Sequence, residues 1–220
     1  MVRVGLIAIL VALAATASAT PVHGTVALPA EPRAPDHDAH WRVENGVIGI
    51  GPRVPDPRLD VIVAFDGAAP KDAKVPNATV ELHGLRLDPR VVVVPVGGSV
   101  EFKNSDRVPH TLYIEHATSL MKPEPTPSQQ SRTQKFYATG EYRVRDEEYP
   151  HIEGDVLVLQ TPWFARLDDK GQFKIELPEG KYTLRVFWHD KWTVTQPLDV
   201  GAKAAEVTIQ VPATATGAKP

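Results

Sequence analysis

The sequence predicts an all-β protein built as one or two sandwiches, and three observations carry that reading. Proline makes up 21 of the 220 residues, about twice its usual share of ~5%, and proline removes a backbone donor and breaks helix interiors. Short runs alternate with period two. Tyr182, Leu184, Val186 and Trp188 face one way and Thr183, Arg185, Phe187 and His189 the other, while Val207, Ile209 and Val211 alternate with Thr208 and Gln210. No stretch of helical length carries apolar residues at i, i+3 and i+4 without a proline or glycine.

In chain order, residues 1–19 (MVRVGLIAILVALAATASA) place Arg3 before an apolar run and end on Ala17-Ser18-Ala19. This is the layout of a secretory signal peptide with an A-x-A cleavage site. The run falls short of the ~20 residues that span a bilayer, so a periplasmic or secreted protein without a membrane span is expected. Residues 20–40 are rich in proline, alanine and charge and read as a flexible leader. Residues 41–155 hold strand candidates at 47–50, 59–65, 78–82, 91–96, 100–103, 111–115 and 142–145, and form a first sandwich. Whether 41–77 belongs to it stays open. Residues 156–211 hold candidates at 156–159, 173–177, 182–188, 192–194 and 206–211, and form a second, smaller β module. Residues 212–220 read as a frayed tail. The run Val91-Val92-Val93-Val94 has no polar face, which suits a strand buried on both sides.

Composition removes several functions. Lys and Arg number 24 against 27 Asp and Glu, a net charge of −3, which leaves no basic excess for a nucleic-acid backbone. The absence of cysteine excludes disulfides, thiolate nucleophiles, cysteine-ligated zinc or iron–sulfur sites and a thiolate-ligated copper centre. No G-x-S-x-G, H-E-x-x-H or Gly-rich phosphate loop with a following lysine is present. A non-enzymatic protein is expected.

Two segments resemble known families. The stretch Leu87-Asp88-Pro89-Arg90-Val91-Val92-Val93-Val94-Pro95-Val96-Gly97-Gly98-Ser99-Val100-Glu101-Phe102-Lys103-Asn104-Ser105-Asp106, followed by His110, is similar to the front half of a cupredoxin-like domain, a Greek-key β-sandwich. Gly97-Gly98 suits a tight turn, and Asn104 and Asp106 can hydrogen-bond the corner backbone. The resemblance implies His110 as the first copper-binding histidine. It also places Asp146 where the thiolate ligand would stand, Tyr149 at the second histidine and Ile152 at the methionine, so the electron-transfer role does not carry over. The second segment, Leu167-Asp168-Asp169-Lys170-Gly171-Gln172-Phe173-Lys174 followed by Leu177-Pro178-Glu179-Gly180-Lys181-Tyr182-Thr183-Leu184-Arg185-Val186, is similar to carboxypeptidase regulatory-like (prealbumin-like) modules. That likeness implies a fold and says little about function.

A metal site without cysteine must draw on histidines, carboxylates or methionine. The sharp reading joins His110 with His151, adding His116, Met121 or Glu148, as a type 2 copper or zinc site. The bland reading makes His110 structural and His151 part of a solvated loop. His37 and His40 form at most a surface patch in a linker, and His189 sits on a hairpin. Glu147, Glu148 and Glu153 read as a solvated loop. Trp41, Trp163, Trp188 and Trp192 could stack on sugars or a partner, or simply pack. The polar loop 117–132 could shape the face beside His110. Two functions follow: a binding protein with a degenerate cupredoxin site holding copper or zinc through histidines, or a metal-free structural or adhesive module contacting an envelope polymer or a protein partner.

Overall fold

The computed structural model describes residues 19–29, 57–68 and 75–212, and among them the regular elements are fifteen strands and one 3₁₀ turn at Pro57–Asp60. Strands β1 (Ala19–Ala27) and β2 (Ile62–Asp66) come first. They are followed by β3 (Ala78–Leu82), β4 (Leu87–Asp88), β5 (Val91–Pro95), β6 (Ser99–Asn104), β7 (Leu112–Ile114), β8 (Ser131–Lys135), β9 (Gly140–Asp146) and β10 (Glu153–Leu159). The last five are β11 (Phe164–Arg166), β12 (Gln172–Pro178), β13 (Gly180–Trp188), β14 (Lys191–Val200) and β15 (Ala205–Gln210). The expected all-β sandwich class is observed.

Strands β3 to β10 form a sandwich of two sheets, ordered β5-β10-β9-β7 and β4-β3-β6-β8. The pairs β3–β6 and β5–β10 are parallel, so the chain crosses between sheets as a Greek key does. Strands β4 and β5 lie in different sheets, with the cis Asp88-Pro89 peptide between them.

The remaining strands form a second sandwich, with sheets β12-β1-β15 and β11-β2-β13-β14. The first sandwich is therefore an insertion. The chain leaves the second sandwich at the end of β2 and returns on β11, which pairs directly with β2 through Phe164 and Ala64. Thr161 closes the re-entry by donating its hydroxyl to the Phe65 carbonyl, a buried bond of 2.7 Å.

Period-two alternation stacks the four sheets into layers. Val92, Val94, Val156 and Val158 point into the core of the inserted sandwich, and Val91, Val93, Leu157 and Leu159 point the opposite way. There they meet Ile62, Ala64 and Phe187 of the host. The VVVV run is thus buried on both sides, as its composition predicts. Host residues of the other parity, among them Val63, Phe65, Leu184, Val186 and Trp188, fill the third core against β1, β12 and β15.

Three boundaries differ from the sequence reading. The leader assigned to 20–40 begins with strand β1, the centre of a sheet, while residues 30–40 and the predicted strand at 47–50 lie outside the described residues. Pro21 is tolerated because the β15 pairing starts only at Val22, so its missing N–H faces one partner strand fewer. Gly24 is required by packing, since a Cβ there would sit 2.2 Å from the Phe173 ring. Residues 62–66, taken with 41–155, belong to the second sandwich. The division at 155/156 falls inside β10, whose continuously buried run extends to Leu159.

One end of the seam between the sandwiches is closed by charge. Asp190, on the β13–β14 hairpin, receives Arg90 at 2.7 Å and Arg143 at 2.9 Å from the inserted sandwich. Arg143 also donates to Asp155 at 3.0 Å, and Arg90 lies 4.0 Å from Asp60 and 3.6 Å from Glu153. Asp155 is only 5% exposed, and its Oδ2 has no hydrogen-bond partner. Burial raises its carboxyl from 3.8 to about 6, a rise that Arg143 and Arg90 oppose and Asp190 reinforces. A carboxyl whose folded value is raised contributes stability that is complete below 3.8 and lost as pH rises through about 6. Wild type is therefore expected to gain stability relative to Asp155→Asn as the pH is lowered from about 7.5 to about 5 in denaturant titrations. A constant difference between the two proteins across that range would refute the assignment.

Candidate functional site

The site sits at the end of the inserted sandwich where the His110 segment and the loop after β9 meet. Asn104, fully buried at the end of β6, organises the corner. Its Nδ2 donates to the carbonyls of Val108 at 2.8 Å and Thr126 at 2.9 Å, and its Oδ1 accepts the Asp106 N–H at 2.9 Å. Asp106 accepts the N–H groups of Gly84 at 2.7 Å and Leu85 at 2.9 Å. Burial alone would raise the Asp106 carboxyl, but these two N–H groups and His110 hold it below the usual carboxylate value. The corner role read from the N-x-D sequence is borne out. Residues Thr126 and His110 exchange backbone bonds of 3.1 and 2.8 Å, which ties the polar loop over the site.

His110 is 0% exposed and wedged between two carboxylates. Its Nδ1 lies 2.8 Å from Asp146 Oδ2 and its Nε2 lies 3.3 Å from Asp106 Oδ2. Asp146 is also buried, and its Oδ1 accepts the backbone N–H groups of Glu148 at 2.9 Å and Tyr149 at 3.0 Å. One carboxylate therefore shapes the loop with one oxygen and holds the histidine with the other. The Tyr149 ring packs against His110 with centroids 5.3 Å apart. Ile152 is fully buried in the core of the inserted sandwich.

Two of the positions aligned from sequence meet His110: Asp146 hydrogen-bonds it and Tyr149 packs against it, while Ile152 lies in the core and accepts the Asp146 N–H through its carbonyl. Their chemistry does not fit a metal. Ile152 carries no donor, the Asp146 oxygens are spent on three hydrogen bonds, and each His110 ring nitrogen faces a carboxylate instead of offering a free lone pair. Among the described residues no group of three or more His, Asp or Glu side chains is placed to hold an ion. His151 is exposed, and its ring packs against Tyr149, with centroids 6.3 Å apart. His116 and Glu148 are exposed, and Met121 is buried in the core. His37, His40 and Trp41 lie outside the described residues. The buried His110–Asp146 hydrogen bond is the feature of this corner that a ligand-by-ligand sequence reading misses. Its signal was an acid standing at the place of a ligand opposite a histidine.

No protein-family model matches the sequence, and no curated protein sequence matches it. Among solved structures the chain is similar to a purple cupredoxin from Nitrosopumilus maritimus, at 22% identity and a TM-score of 0.34 over 37% of this chain and 98% of that one. It is similar to amicyanin from Paracoccus versutus at 17% identity and a TM-score of 0.34, covering 44% and 96%. A Cu-containing nitrite reductase from Thermus scotoductus SA-01 matches at 23% identity and a TM-score of 0.33, over 43% of this chain and 25% of that one.

Proposed function

We propose that the chain is an exported, non-enzymatic binding module in which a buried His–Asp hydrogen-bonded pair has replaced the metal ligands of a cupredoxin-like frame. The observation that carries this reading is the fully buried His110 between Asp146 and Asp106. Of the two functions read from sequence, this favours the metal-free module contacting an envelope polymer or protein partner over a copper or zinc carrier. The second sandwich is read as carboxypeptidase regulatory-like, a type of module that serves as a structural or binding appendage. A helix long and apolar enough to cross a membrane is absent among the described residues. The test is Cu(II) and Zn(II) titration of the purified protein, read by metal analysis after desalting and by EPR. No stoichiometric metal is expected to remain. Stoichiometric Cu(II) with a nitrogen-coupled EPR signal that disappears in His110→Ala would overturn the proposal.

A further inference from the structure

The seam between the sandwiches has a second end, and it is built differently from the first. The alternation that aims Ile62, Ala64 and Phe187 into the seam also aims Asp66 and Arg185 there. Arg185 is held entirely by the host: its Nε donates to Asp66 at 2.6 Å and its guanidinium lies 4.1 Å from the centre of the Trp192 ring. Phe187 in turn braces Trp192, with centroids 5.3 Å apart. Among the described residues no carboxylate of the inserted sandwich comes within ion-pair distance of Arg185. That sandwich contributes exposed Thr139, Glu141 and Gln160 instead, and a groove of about 560 Å³ remains between the walls. Among the described residues nothing hydrogen-bonds the Nη atoms of Arg185.

We propose that this open end of the seam is a binding groove for a hydroxylated monocarboxylate, a sugar acid of the kind carried by acidic polysaccharides. A guanidinium stacked on an aromatic ring and fixed through Nε has little freedom left to lose, and its remaining N–H groups match a carboxylate fork. Glu141, Gln160 and Thr139 supply acceptors and donors for hydroxyls. Asp66 already balances Arg185 and Glu141 adds a further negative charge, so one carboxylate is held only by direct bonds to the free Nη edge, and a second finds no cation and is repelled by Glu141. This deepens the proposed function and rests on it, because it supplies a ligand class for the non-enzymatic module.

The experiment titrates isotope-labelled full-length protein with D-glucuronate, D-glucose and D-galactarate while following the Trp192 indole N–H by NMR. Glucuronate is expected to give a saturable shift, with glucose weaker by about tenfold or more because the charge-assisted hydrogen bonds are lost. Arg185→Met and Arg185→Lys are both expected to lose that preference, since lysine keeps the charge without the fork. Equal affinity for glucose, no saturable shift with glucuronate, or a preference that survives Arg185→Met overturns the assignment. Glu141→Gln changes an exposed side chain and leaves the seam intact. It is expected to admit galactarate, and continued rejection of the diacid counts against the groove. Failure here is distinguishable from failure of the metal-free reading, which the Cu(II) titration at His110 decides.

Discussion

Asp146→Ala is expected to destabilise the protein by about 2–4 kcal/mol, since a buried ring nitrogen and two loop N–H groups lose their acceptor at ~1–3 kcal/mol for each polar group left buried and unpaired. Three losses coincide at this residue. His110 keeps only the longer contact to Asp106 at 3.3 Å while remaining buried. The N–H groups of Glu148 and Tyr149 lose the acceptor that shapes their loop. That loop carries Ile152, so the disturbance reaches the core of the inserted sandwich. Asp146→Asn keeps the shape and the Oδ1 acceptor, and its cost should be smaller. Denaturant midpoints of the two variants measure the difference. A change below about 1 kcal/mol for the alanine variant would mean that the pair does not hold this end of the sandwich together.

Replacing Asp146 by Cys, Tyr149 by His and Ile152 by Met together is expected to give a protein that takes up Cu(II) stoichiometrically with an intense visible band. The resemblance implies those identities at those positions, and a trigonal His₂Cys site with a weak axial methionine is the blue-copper arrangement. The frame is suited to the exchange, because Asp146 Oδ2 and His110 Nδ1 already lie 2.8 Å apart. Two donors sharing an ion at ~2.0–2.1 Å each in a trigonal or tetrahedral site stand roughly 3.3–3.6 Å apart, so the pair has to open only slightly. The variant also removes the carboxylate that occupies the His110 nitrogen. If the folded variant binds Cu(II) without such a band, the three positions are not the ligand positions of this frame.

What could be read from sequence was what local chemistry determines. The VVVV run has no polar face, and a strand with no polar face must be covered twice. Asn104 and Asp106 sit where a corner needs short side chains able to accept backbone N–H groups. The meeting of Asp146 and Tyr149 with His110 followed from one proline-anchored alignment. Other features depended on partners far along the chain. Strand β1 carries Pro21 and Gly24 and resembles a linker until Phe173 is seen lying over the glycine. Strand β8 reads Ser-Arg-Thr-Gln-Lys and has no apolar residue. Its strand character comes from pairing with β6. The charged end of the seam joins Arg90 to Asp190, 100 residues away. The insertion itself had no local signature, because it is defined by β2 pairing with β11 on either side of the inserted strands.

That topology also sets an order of assembly. Strands β3 to β10 are contiguous, so the inserted sandwich has all its pairing partners within one stretch of chain. The host depends on both flanks: β1 lies between β12 and β15, its pairing with β15 is parallel, and β2 lies between β11 and β13. During synthesis β1 and β2 emerge early and must wait for strands made after the insertion is complete. Such non-local pairing is the slow part of folding. The inserted sandwich can therefore serve as the template on which the host closes, with the face bearing Val91, Val93, Leu157 and Leu159 ready to receive β2 and β13.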